Sequence, residues 1–364
     1  MERNLIIFAG AGASCGVSQD KYPMAVGFRE KLPQAITDLY LYQRLMNYLS
    51  KHGDGGAVDI EHVLWGLDRL LQALSEFTAD DCFGSQLLRL AEISIVADNY
   101  PPPGQQTHAQ FSLLEAKATV LKNTINERIY DFFAKPPNEG ELDRSWVPLL
   151  RWAAGASFNR IDLVTTNYDL VLEYAMERVG QTLRVEEGWK RRVSETTLDL
   201  NRWDSSNASE IGLLTKLHGS VDWYRSGTSA SPVIRVGHPD FDGDHKKRSI
   251  IYPGFKGRPS DVPFIAFHEY FRRRVSMASH MLFIGFAFRD DYINDLLGTA
   301  TPPTAEIAIV DPKRPNTKPF SQQPIYIEQY FGEAPPPITV PPAPNLVNEV
   351  KDWAEGIRKA RGSA

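Results

Sequence analysis

Apolar positions in this chain fall into two alternating kinds of run. Leu5–Ala9, Ile161–Thr165, Gly212–Leu217, Ser249–Tyr252, Met281–Gly285 and Glu306–Val310 are short, largely apolar and bounded by polar or glycine-containing breaks, the signature of buried strands. Between them lie stretches with helical spacing. The clearest is Asp59–Phe77, where Ile60, Val63, Leu64, Leu67, Leu71 and Leu74 form one apolar face. Further helices are predicted over 86–97, 109–133, 170–179, 263–276 and 291–297, with breaks at Tyr100–Gly104 and Lys135–Gly140. Strands alternating with helices predict an α/β fold: a Rossmann-like parallel sheet with helices on both faces. The long helical stretch after the first strand reads as a large insertion. The expected division is a core of residues 1–50 and 150–330, a helical insertion of 51–149, and a tail of 331–364. In that tail a proline-rich connector precedes an amphipathic helix marked by Leu346, Val350, Trp353 and Ile357.

Composition narrows the class. With 364 residues and 42% hydrophobic content the chain can bury a sizeable core. A formal net charge of -5 gives no global nucleic-acid-binding surface. The basic runs Lys190–Arg192, Lys246–Arg248 and Arg272–Arg274 read as solvated faces. The two cysteines, Cys15 and Cys82, cannot make a disulfide framework or a four-cysteine zinc site. No apolar run is long enough to span a bilayer, and strand residues begin at Leu5 where a secretory leader would lie. The expectation is a cytoplasmic protein with neither membrane nor direct nucleic-acid contacts.

The candidate chemistry follows strand ends, where ligands bind on parallel sheets. Gly10-Ala11-Gly12-Ala13-Ser14 ends the first strand in a glycine turn suited to a phosphate. It is neither a dehydrogenase fingerprint, since Cys15 stands at the third glycine position, nor a phosphate-loop ATPase motif. Thr165-Thr166-Asn167-Tyr168-Asp169 ends the second strand, and its Asn167 amide can both donate and accept. Asp169 either holds that arrangement or meets a ribose hydroxyl. His218 follows another strand, with the titration range of a general base, and Gly219 leaves room for a ligand beside its ring. Gly285 opens a further strand–glycine–helix junction that can admit a ribose. Asp290 and Asp291 read there as helix caps, and Asp311 as either a ribose contact or a turn former. His238–His245 has a metal-like look but lacks the calcium-loop spacing, and reads as a solvated loop.

In order along the chain, these segments resemble the sirtuin superfamily. The resemblance rests on Gly10-Ala11-Gly12-Ala13-Ser14, Thr165-Thr166-Asn167-Tyr168-Asp169, His218-Gly219 and Gly285-Phe286-Ala287-Phe288-Arg289-Asp290. Asp59-Ile60-Glu61 and its helix are similar to an insertion of bacterial sirtuin-like proteins. Two departures stand out. The paired-cysteine zinc module is missing from the sequence, and Gly16–Pro23 does not align with the family's segment after the first loop. Both point to the bacterial branch that resembles anti-phage NAD hydrolases.

The resemblance implies NAD as substrate and no metal. It implies Asn167 and His218 as catalytic residues, and Gly10, Ala11, Gly12, Ser14, Thr166, Asp169, Gly285, Phe286 and Asp311 as NAD contacts. It further implies an abortive-infection role and control by homo-oligomers, a HerA-type ATPase or a short Argonaute. Two other activities fit the same fold: an NAD-dependent protein deacylase, and a non-catalytic subunit that binds NAD or ADP-ribose.

Overall fold

A computed structural model describes residues 3–52, 58–78, 108–191, 196–204, 211–226, 232–236, 246–251, 259, 261–313, 315, 319–328 and 331. The helix expected over 86–97, the loop His238–His245, the prolines of the tail and its amphipathic helix lie outside these residues.

Strand β1 (Asn4–Ala9) leads into helices α1 (Ala11–Val17), α2 (Ala25–Glu30), α3 (Gln34–Thr37), α4 (Tyr40–His52), α5 (Ile60–Thr78), α6 (His108–Phe133), α7 (Glu139–Asp143) and α8 (Trp146–Gly155). The chain then forms β2 (Arg160–Thr165), α9 (Val171–Val179), β3 (Val185–Glu186), β4 (Trp189–Arg191), β5 (Thr196–Leu198), α10 (Asn201–Asp204) and β6 (Gly212–Lys216). It continues through β7 (Gly219–Ser226), β8 (Val233–Arg235), β9 (Lys246–Ile250), α11 (Phe264–Ser276), β10 (His280–Ile284), α12 (Asp291–Ala300), β11 (Glu306–Val310) and β12 (Ile325–Ile327).

Seven strands make one sheet in the order β12-β11-β10-β1-β2-β6-β3, and every pairing in it is parallel. The expected α/β architecture is therefore the observed one. Alternation along the strands assigns the two faces. Leu5, Ile7, Leu163, Leu282 and Ile284 pack with α1, α8 and α9 on one side. Ile6, Phe8, Val164, Met281 and Phe283 pack with α11 and α12 on the other. A third core joins α2, α4, α5 and α6, and the apolar face read from 59–77 supplies much of it.

One expectation is corrected. The run at Ser249–Tyr252 is not a strand of the parallel sheet. β9 pairs antiparallel with β7 in a separate five-stranded sheet, ordered β4-β5-β8-β7-β9. Several members of that sheet are only three residues long, too short to carry a readable alternation of their own.

Chain order reverses between β1 and β10. From β1 the sheet grows through β2 and β6 on one side, then resumes at β10 on the other. Such a switch point, at the carboxyl ends of the strands, is where open α/β sheets take their ligands.

Candidate active site

Five consecutive strands, β11, β10, β1, β2 and β6, run parallel, so their carboxyl ends share one rim. Asp311, Gly285, Gly10, Asn167 and His218 each follow one of these ends. Asn167 and His218 belong to adjacent strands. Thr165 of β2 stands in register with Lys216 of β6, and each polar residue comes two positions later. Backbone bonds continue past the strand ends, from Leu217 N to Thr165 O at 2.8 Å and from Val221 N to Tyr168 O at 3.0 Å.

Asn167 is buried and strongly oriented. Its Nδ2 donates to Gly10 O and to Ser14 Oγ, both at 2.9 Å, and its backbone N donates to Thr165 Oγ1. The carbonyl of Gly10 decides which way the amide faces, because only the NH2 end can meet it. Both amide hydrogens are then committed. Among the described residues Oδ1 has no hydrogen-bond partner, so this side chain meets a ligand as an acceptor.

Ser14 and Asp169 hold Asn167 in place. The Ser14 hydroxyl accepts from Asn167 and donates to the Asp169 carboxylate. Asp169 also accepts from Val171 N at 3.1 Å, which caps the start of α9. Burial pushes the Asp169 carboxyl above the usual range, while Lys216 and the Ser14 hydroxyl pull the other way. The carboxylate is committed inside the protein and does not face a ribose. Beneath it Lys216, 1% exposed, donates to Asp169 O, Glu173 Oε1 at 2.7 Å and Ser220 Oγ at 2.9 Å. Burial pushes Glu173 up to about 7 even with Lys216 beside it.

The glycine turn differs from its sequence reading. Gly10 N donates to Ile284 O and Gly12 N to Gly285 O, both at 2.9 Å. These amides tie β1 to β10 across the switch point and are not available to a phosphate. The Ser14 hydroxyl is engaged as well, which leaves exposed Ala11 as the loop's surface. Gly285 has φ 57°, and a β-carbon there would lie 2.2 Å from Ala13 N. Its smallness serves this backbone-to-backbone contact. Gly219, φ 88°, is corrected in the same way: a β-carbon would stand 2.0 Å from Ser249 O, so the space is filled by β9. Phe286 buries its ring against Phe8, with centroids 4.5 Å apart, so only its backbone is left to line a ligand. Asp311 accepts from Lys313 N at 2.9 Å, a turn former's bond, and burial raises its pKa. Thr166 is half-buried on the rim beside Asn167.

His218 is buried at the head of β7, and its carbonyl accepts from Ile251 N at 2.9 Å. Its Nε2 lies 3.2 Å from Asp290 Oδ2. Asp290 is the cap that its sequence position predicts, since Oδ1 accepts from Ile293 N at 3.1 Å. That its second oxygen meets His218 has no signal in the sequence. Nothing in the sequence separates His268 from the other positions of its helix. The Tyr168 hydroxyl joins the rim to the helical region, donating to Glu61 Oε1 at 2.8 Å and approaching Ile251 O at 3.1 Å. Among the described residues no group of three or more His, Cys, Asp or Glu could hold a metal, and no helix is long and apolar enough to cross a membrane.

Solved structures similar to this chain include a mutant Sir2 homologue in complex with 2'-O-acetyl ADP ribose, at 14% identity, covering 98% of this chain and 92% of that one, TM-score 0.44. A Sir2 homolog–NAD complex matches at 13% identity, 98% and 90% coverage, TM-score 0.42. Sir2Tm bound to a propionylated peptide matches at 12% identity, 100% and 94% coverage, TM-score 0.38. At these TM-scores the likenesses bear no weight on the site or its substrate. No curated protein sequence gives a significant match. The model of the SIR2-like domain family matches residues 162–319, a stretch that includes Asn167, His218 and Asp290.

Proposed function

We propose that this protein is an NAD+ hydrolase that cleaves the bond between nicotinamide and ribose. The observation that carries the reading is the pairing of Asn167 and His218 at the carboxyl ends of adjacent strands, beside the switch point and within the SIR2-like match. The rim residues suit a dinucleotide: Ala11 and Thr166 offer surface beside Asn167, Asn167 Oδ1 would accept from a ribose hydroxyl or a water, and His218 would take a proton.

As the ribose C1'–N bond breaks, both its electrons leave with nicotinamide, which departs neutral. Positive charge develops on the sugar, as in glycoside cleavage. The oxygen of a water bonds to C1', and its proton passes to His218. The products are ADP-ribose, nicotinamide and a proton.

Mass spectrometry of NAD incubated with the full chain tests this. Equal amounts of ADP-ribose and nicotinamide are expected. O-acyl-ADP-ribose formed only with an acylated peptide would replace the hydrolase with the deacylase. Unchanged NAD after prolonged incubation, alone and with a partner, would leave a binding subunit. An enzyme that destroys a cofactor needed throughout metabolism must be restrained. That need motivates placing it in anti-phage defence, controlled by homo-oligomerisation, a HerA-type ATPase or a short Argonaute. A constitutively active monomer in a sizing experiment would end this extension.

A further inference from the structure

We propose that Asp290 is a positioning residue that fixes the ring and the tautomer of His218, leaving Nδ1 as its basic nitrogen. The identity of what that nitrogen deprotonates rests on the NAD-hydrolase reading; the positioning itself does not.

The turn that delivers Asp290 is built at a cost. Phe288 has φ 52°, in the left-handed region that residues with a β-carbon occupy only under steric strain. Asn294 Nδ2 donates to Phe288 O at 2.8 Å and holds this conformation. The Phe288 ring is buried, 4.7 Å from Phe286 and 5.2 Å from Phe283 by centroid. The turn ends with Asp290 at the head of α12, its backbone extended as an N-cap requires.

A cap needs one acceptor, and Ser, Thr or Asn provides it as well as Asp. Here Oδ1 alone completes the cap, through Ile293 N. The remaining oxygen, Oδ2, lies 3.2 Å from His218 Nε2, with the two side chains 11% and 8% exposed. A carboxylate oxygen only accepts, so the imidazole nitrogen facing it carries a hydrogen. The lone pair of neutral His218 is then on Nδ1. Among the described residues Nδ1 makes no hydrogen bond, which is the state a base requires before substrate arrives.

His268 on α11 is near the pair and does not compete for the carboxylate as a cation. Its Nδ1 is 2.9 Å from Phe264 O, and burial, with His218 adding to it, pushes its pKa down to about 4. The His218 backbone is held independently, through Ile251 N.

The experiment uses the full chain with 15N-labelled histidine and compares wild type with Asp290→Asn and Asp290→Ser. In D290N the carbonyl keeps the cap and the NH2 faces Nε2, which must become the acceptor. The His218 signals are expected to switch from Nε2–H to Nδ1–H. NAD turnover is expected to fall about a hundredfold in kcat, at the lower end of a lost general base, with KM unchanged within about twofold. D290S also keeps the cap but faces His218 with no carboxylate, and mixed tautomers with an intermediate fall are expected. Nε2–H retained in D290N would overturn the proposal. A switched tautomer with undiminished kcat would overturn Nδ1 as the base. If wild type consumes no NAD but the tautomer switches, the positioning stands and the hydrolase reading falls.

Discussion

Two buried polar clusters lie along β2 and its continuation, and they differ in completeness. Within the strand, Asp162 is 1% exposed and meets Arg160 Nε, Arg274 Nε at 2.7 Å, the Tyr270 hydroxyl at 2.5 Å and Leu213 N at 3.1 Å. Arg160 reaches on to the Tyr270 hydroxyl at 2.6 Å. Charges here face opposite charges, and the cluster joins β2, β6 and α11 into one body. Past the strand's end, Asn167 is as firmly anchored through its NH2, yet its carbonyl oxygen has no partner among the described residues. His218 likewise pairs through one nitrogen only. Burial and pairing are common to both clusters. What marks the rim as the candidate site is the capacity left over, since a fully paired network has nothing to offer a ligand.

The sharpest way to break this contrast is to remove the rim groups. His218→Ala and Asn167→Ala are each expected to lower NAD turnover about a hundred- to ten-thousandfold while the chain stays folded, N167A also losing some stability with its bonds to Gly10 O and Ser14 Oγ. Undiminished turnover by either purified variant would refute its assignment. Asp162→Ala should do the reverse. It strands two buried guanidinium groups and is expected to cost about 3–5 kcal/mol in stability, measured by denaturant unfolding. Catalysis by whatever fraction remains folded should be close to normal.

Acid tests the rim in a third way. His268 is held neutral in the folded protein, at about 4, while the unfolded chain protonates near 6.5. Stability from this group is complete above the higher value and is lost as pH falls through the lower, about 3 kcal/mol in all. Unfolding midpoints followed across that window should fall less steeply for His268→Gln. The mildest perturbation is Ser14→Ala, which removes one of Asn167's two anchors and the hydroxyl that serves Asp169. A loss of about 1 kcal/mol in stability is expected. Turnover should drop about fivefold, the rate equivalent of that energy. A loss of stability with no loss of turnover would show that Asn167 needs only its bond to Gly10.

Much of the site was legible as a set of strand ends. Gly10, Asn167, His218, Gly285 and Asp311 each follow an apolar run, and a parallel sheet brings such ends to one edge. Their individual roles were less legible. Gly10 and Gly12 read as a phosphate cradle, but their amides bond to β10. Ser14 read as a ligand contact, but it braces Asn167, and Asp169 takes the first of its two readings, holding that arrangement. Asp290 read correctly as a cap, yet a cap uses one oxygen and the sequence carries no sign of where the other goes.

The chain alone determined what repeats locally: the alternation that divides Ile6 and Phe8 from Leu5 and Ile7, the apolar stripe from Ile60 to Leu74, and the glycine breaks that end strands. These follow from periodicity, which neighbouring residues express together. Tertiary structure decided which strands are adjacent, where the second sheet forms, and which atom of each polar group is already spent. Those outcomes depend on contacts between residues far apart in the chain, such as Asn167 with Gly10 and His218 with Asp290, and no local pattern encodes them.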